Sequence, residues 1–125
     1  MLKNTIAISA LLMVISAFGL LFFPAKMLSV VGIIGNPQTE FLLRVSGVGV
    51  ASLIPGVWAV RTAAPSLLAR AVLSGLAIYM FLSSAVDFLA YTQAIVNAAS
   101  IPSITLRILI GCLITWSIIK EKPQK

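Results

Sequence analysis

The stretch Thr5–Phe23, TIAISALLMVISAFGLLFF, runs for 19 residues without a charge and is closed by Pro24. As a helix it measures about 28 Å at ~1.5 Å per residue, enough to cross a hydrocarbon core of roughly 30 Å. Lipid offers no partner to a free backbone N–H or C=O, so a spanning segment must satisfy itself as a helix or close into a β-barrel. The short alternating segments of a barrel are absent, which leaves the helix. Pro24 stops it because a proline nitrogen has no proton to donate. Lys3 followed by an apolar run has the outline of a secretory leader. The run is too long for one, however, and no small-x-small cleavage pattern follows before Pro24, so it reads as a retained first span.

Outward from this segment the pattern repeats. A second apolar run, Phe41–Val60, is closed by Arg61 and the TAAPS turn. A third extends from about Leu67 to Tyr91, longer than a crossing needs and therefore free to tilt. A fourth, from about Ser103 to Ile119, is stopped by KEKPQK. The expected fold is all-α: one polytopic membrane domain over residues 1–125, built as a bundle of four transmembrane helices. The first link, PAKMLSVVGIIGNPQTE, is too apolar to hang in water and too short to span, which predicts a short interfacial helix around Ala25 to Val31 and a Gly35-Asn36-Pro37 turn.

Composition agrees with a lipid-facing surface. Hydrophobic residues make up 60% of the chain and charged residues 10%, and the mean hydropathy is +1.10. The net charge of +6 does not point to nucleic acid, because the cations stand singly between apolar runs. There is no histidine and one cysteine, Cys112, so the chain can form no internal disulfide and lacks the ligands of the usual transition-metal site. Cys112, inside ILIGCLITW, reads as a small packing residue. No cofactor is implied.

Lys3, Arg61, Arg70, Lys120, Lys122 and Lys125 fall on the face that holds both termini, whereas Lys26, Arg44 and Arg107 fall on the other. The positive-inside rule then places both termini in the cytoplasm. Arg44 lies four residues past Glu40, and Arg107 four past Ser103. Asp87 lies 20 residues past Leu67, a rise of about 30 Å, so all three ionisable groups are expected near the outer leaflet. Asp87 is too short to snorkel far, and pairing with Arg44 or Arg107 would relieve its desolvation. One carboxylate against two guanidiniums leaves an excess positive charge, to be neutralised by Glu40 or by an anion such as a lipid headgroup. Ser83, Ser84, Tyr91 and Thr92 are the polar side chains able to line such a pocket. The plainer reading has both arginines snorkelling to headgroups while Asp87 solvates a helix end; contact with a partner protein is the third.

Small residues recur at four-residue spacing: Gly47 with Ala51, Ser52 with Gly56, and Ala71 with Gly75. They let helices approach closely, either within the bundle or across a homodimer face. Pro55-Gly56 predicts a kink in the second span. Trp58 and Trp116 read as interfacial anchors.

The elements GLLFFP, VVGI, NP and LLRVSGVGVASLIPGVWAVR, from Gly19 to Arg61, resemble the opening half of small four-span bacterial inner-membrane proteins, DoxX-like in the broad sense. That resemblance implies a four-helix inner-membrane bundle, in some members an accessory partner of redox enzymes. Independently of it, the chain offers no nucleophile, base or metal set for catalysis, so no catalytic residue and no enzyme are expected. Small multidrug exporters use a carboxylate in their first span, and the first span here has no ionisable residue. The residues therefore favour a binding or accessory protein for a lipid, a small ligand or a larger membrane complex. A small-solute transporter and a membrane-embedded oxidoreductase subunit are the alternatives.

Overall fold

A computed structural model describes residues 1–64 and 66–121; Pro65 of the TAAPS turn and the tail residues Lys122, Pro123, Gln124 and Lys125 lie outside them. The described residues form five helices: α1 (Leu2–Phe22), α2 (Pro24–Val30), α3 (Pro37–Ala59), α4 (Leu67–Thr92) and α5 (Ser100–Lys120). All but α2 are long and apolar enough to cross a membrane. Large apolar side chains on every one of them face away from the protein, among them Leu11, Ile15, Phe18, Leu53, Leu82 and Leu109. An apolar exterior this extensive is stable against hydrocarbon and not against water, so the chain is a multi-pass membrane protein.

Helices α1, α3 and α5 begin three or four residues before their apolar runs, and α4 begins with its run at Leu67. Asn36 caps α3 reciprocally with Thr39: its side chain accepts from the Thr39 N–H at 2.9 Å, and its own N–H donates to Thr39 Oγ1 at 3.0 Å. Pro37 fits the first helical position, where no N–H is needed. The polar turn Gln38-Thr39-Glu40 thereby becomes helical, and Arg44 lies about 10 Å into α3. Ser66 caps α4 by accepting from the Ala69 N–H. Pro24 both ends α1 and opens the short helix α2, which occupies the expected interfacial position within a residue at each end.

The two C-terminal turns at the link end share one motif. After α2, Gly32 at φ +83° lets its own N–H reach Ser29 O and that of Ile33 reach Leu28 O. After α4, Ala94 at φ +56° plays the same part, with its N–H on Tyr91 O and that of Ile95 on Ala90 O. The second turn lacks the glycine that makes this conformation inexpensive. The links also bind each other: the Asn97 N–H donates to Val31 O at 2.8 Å, and the Asn97 side chain packs directly over Gly32.

Packing follows chain order. α1 packs on α3 and α4 on α5 as antiparallel hairpins, and the hairpins meet through α1 and α5, leaving α3 and α4 on the flanks. The core is displaced toward the termini: Leu2, Ile6, Ala10 and Met13 of α1, Val57 of α3, Leu73, Leu76 and Met80 of α4, and Ile110 and Ile114 of α5. Within it Thr5 and Ser117 share a hydrogen bond of 2.9 Å between α1 and α5. Beyond the helix ends Glu121 gathers three elements. Its carboxylate meets the Met1 ammonium at 3.0 Å and accepts the Leu2 N–H at 2.8 Å, and its carbonyl accepts from Arg70.

Only some of the small residues serve close approach. A Cβ on Gly47 would meet Leu20 and Leu21 at 3.0 Å, and one on Gly111 would meet the Phe81 ring at 3.0 Å. Gly56 and Gly75 have nothing within 4 Å, and Ser52 and Ala71 are exposed, so those two pairs pack no helix within the chain. Cys112 is exposed as well, because α5 turns it away from the hairpin interface; it does not pack inside as expected. Helix α3 continues through Pro55 to Ala59, with Pro55 on its exposed side.

The two link-end turns should respond in opposite senses. Gly32→Ala forces a side chain into the left-handed region and against Asn97, which should lower stability in detergent by more than ~1 kcal/mol. Ala94→Gly should raise it by about 1 kcal/mol, both read by thermal unfolding. A pH titration tests the other end. The Leu2 N–H, followed by the Met1 ammonium, holds the Glu121 carboxyl below its ordinary value of 4.5. Its stabilisation is therefore complete above that value and lost as pH falls through the lowered one. Unfolding midpoints should drop as pH falls below about 4.5 in the native chain and change less over the same descent in Glu121→Gln.

Candidate functional site

The helix ends at the links carry the ionisable residues singled out in the spans. Arg44 is on α3, Asp87 near the end of α4, and Arg107 near the start of α5. Antiparallel packing of α4 on α5 sets Asp87 opposite Arg107: the guanidinium donates to Asp87 Oδ2 at 2.5 Å, with each side chain about a third exposed. The pair forms between sequence neighbours in the fold because α4 and α5 are a hairpin with a short link. A charge-assisted bond of this kind offsets much of the cost of holding a carboxylate at this depth.

Arg44 does not join them. It lies on the flanking helix α3, on the far side of α1 from the α4/α5 hairpin, and among the described residues no carboxylate lies within 4 Å of its guanidinium. The expected convergence of three charges on one point thus resolves into a closed pair on one hairpin and an open arginine on the other. Glu40, one turn nearer the link, lines a shallow groove of about 220 Å³ with Arg44, Pro37 and Phe41. Its carboxylate leans toward Gly35, where a Cβ would stand 3.3 Å from Oε1. On the other side of the Phe41 ring an apolar trough is bounded by Pro37, Gln38 and Leu42.

The hydroxyls expected to line a pocket are turned back on their own helix. Ser83 and Ser84 both donate to Met80 O, and Thr92 donates to Leu89 O. Ser84 is buried among the helices and Tyr91 is exposed. A serine or threonine inside a membrane helix commonly spends its proton on the preceding turn, which leaves little for a ligand. Pro55 and Gly56 lie near the opposite end of α3 and take no part in the groove.

Sequence reasoning placed Glu40 and Arg44 at the rim but did not single out Phe41 and Pro37 as the walls between them. The signal was present: positions 37, 40, 41 and 44 follow the three- and four-residue spacing of one helix face. Among the described residues no group of three or more His, Cys, Asp or Glu is placed to hold a metal ion.

At the termini end aromatic and basic residues lie together. Trp58 and Trp116 are exposed, and Arg61 stacks on the Trp58 ring at 5.0 Å. This is the side-chain chemistry of an interfacial belt.

A double-mutant cycle distinguishes the closed pair from the open arginine. Asp87→Ala and Arg107→Leu should show an interaction energy of roughly 0.5–3 kcal/mol in thermal or denaturant unfolding in detergent. Asp87→Ala and Arg44→Leu should add to within about 0.5 kcal/mol. No family model matches this chain, and neither a curated protein nor a solved structure matches it.

Proposed function

We propose that this protein is an inner-membrane four-helix bundle of bacteria, both termini cytoplasmic, that works as a binding or accessory protein and carries out no catalysis of its own. The observation that carries the reading is the division of charge at the link end. Asp87, near the end of α4, is engaged by Arg107, while Arg44 remains open at the surface of the flanking helix. Coupled transport draws on an intramembrane carboxylate free to exchange protons or cations near the bilayer midplane. Here the carboxylate is tied to a guanidinium near a helix end. A surface cation beside an apolar wall is suited instead to holding something anionic, whether the headgroup of a lipid, a small ligand or a group on a larger membrane complex. The orientation is supported by Lys3, Arg61, Arg70 and Lys120 at the termini end. The resemblance to DoxX-like proteins is in keeping with an accessory role.

Extraction in a mild detergent should bring down a stoichiometric membrane partner or a defined lipid. Proteoliposomes should move neither solute nor protons faster than empty vesicles. Flux above the empty-vesicle level that Asp87→Asn abolishes would replace this reading with transport.

A further inference from the structure

From the groove on α3 we infer a binding site for the headgroup of an aminophospholipid, phosphatidylethanolamine in chemical class, with Arg44 on the phosphate and Glu40 on the ammonium. The inference rests on the binding role proposed above and names its ligand.

Four features of the groove lead there. Glu40 and Arg44 stand four residues apart with the acid first, the order that favours an ion pair along a helix, yet no salt bridge joins them. They line one groove, and their charged ends stand more than 4 Å apart. A carboxylate and a guanidinium facing the same space suit a ligand that carries both signs.

The order of the charges matches a phospholipid. Glu40 is in the first turn of α3 and Arg44 is ~6 Å deeper along the axis. In a phosphatidylethanolamine the phosphate lies next to the glycerol and the ammonium lies outward of it, joined through two carbons. Inserted from the bilayer, the lipid brings its phosphate to the deeper arginine and its ammonium to the shallower glutamate.

The walls fit the remainder of the molecule. Pro37 and the exposed Phe41 ring bound the charged groove, and the apolar trough along Pro37, Phe41 and Leu42 continues beside it. The residues of the trough all stand outward of Arg44, so the acyl chains run on past the arginine along the lipid-facing side of α3, where Val45 and Val48 are exposed.

The same chemistry disfavours other lipids. Phosphatidylglycerol brings the same phosphate to Arg44 but offers Glu40 neutral hydroxyls in place of a cation. Choline has no N–H to donate to a carboxylate, and it is recognised by cages of several aromatic rings, whereas this groove has one. A primary ammonium has three donors for Glu40.

The test uses the full chain in mild detergent, stripped of native lipid and offered equal amounts of phosphatidylethanolamine, phosphatidylcholine and phosphatidylglycerol with matched acyl chains. Retention is read by native mass spectrometry. The native chain should retain phosphatidylethanolamine about fivefold over either competitor, and Arg44→Gln should reduce that retention about fivefold. Glu40→Gln should remove the preference for the ethanolamine lipid while leaving phosphatidylglycerol bound. Arg61→Gln, at the other end of α3, should change nothing. Arg44 is exposed and Glu40 half-buried, and unchanged thermal unfolding confirms that the variants are folded. The inference is overturned by equal retention of the three lipids, by a preference for phosphatidylglycerol, or by the same loss in Arg61→Gln. It is also overturned if Arg44→Gln spares the lipid and instead releases a co-purifying protein. That last result, or a partner retained without any lipid preference, would leave the accessory role standing and remove only the lipid.

Discussion

A peptide group in hydrocarbon has to find its hydrogen bond within the protein, because the solvent supplies none. In this chain that requirement governs more than the four long helices. The segments outside them are short, and their backbone groups are also largely paired. α2 lies across the end of the first hairpin, and each of the turns after α2 and α4 returns two N–H groups to the last carbonyls of its helix. The Asn97 N–H then reaches across to Val31 O, so that the two hairpins are joined through the main chain at the end where their side chains meet least. Ala94 holds a left-handed conformation without being glycine, a cost accepted where the turn must close.

The two ends of the molecule solve the same problem with different chemistry. Near the termini, buried side chains from all four spans meet, Thr5 bonds Ser117 between helices, and Glu121 draws the chain start, α4 and its own helix together. Hydrogen bonds between membrane helices average only about 0.6 kcal/mol, so the apolar packing is the larger share of that contact. At the link end the packing thins. There Asp87 and Arg107 hold α4 to α5, and the opposite hairpin relies on Gly47 fitting against Leu20 and Leu21. The bundle is thus tight near the termini and open at the links, where Arg44 has no carboxylate partner among the described residues.

Most of the fold was legible in the sequence because a membrane span announces itself by length and hydropathy alone. The positions of the helices, the interfacial segment after Pro24 and the depth of the three ionisable residues all follow from counting 1.5 Å steps. Where counting stopped was the lateral arrangement. Depth placed Asp87 level with both arginines, but only the order of the helices across the bundle decides which of them it meets. α5 is its hairpin neighbour and α3 lies beyond α1. The same blindness applied to the small residues. Gly47 and Gly75 sit in similar patterns, yet one touches a neighbouring helix and the other touches nothing. It applied to Cys112 too, whose apolar surroundings in sequence said nothing about whether it faced a helix or the lipid.

The flanking position of α3 links these points. Of the four spans it buries the fewest residues, only Gly47 and Val57, and it carries Arg44, Glu40 and the open glycine Gly56. A central helix with that composition would strand charge and leave voids. At the edge of the bundle the same residues face the bilayer, where a guanidinium can be matched by a phosphate and a groove can be filled by lipid. Connectivity alone would allow the hairpins to meet through α3 and α4, whose link is as short as that between α4 and α5; they meet through α1 and α5 instead. α1 has no ionisable residue beyond Lys3 at its start, which suits it to the interior. The charge that the bundle could not pair internally has accordingly been placed on the span that the topology leaves at the edge, and that placement is what gives the groove on α3 its chemistry.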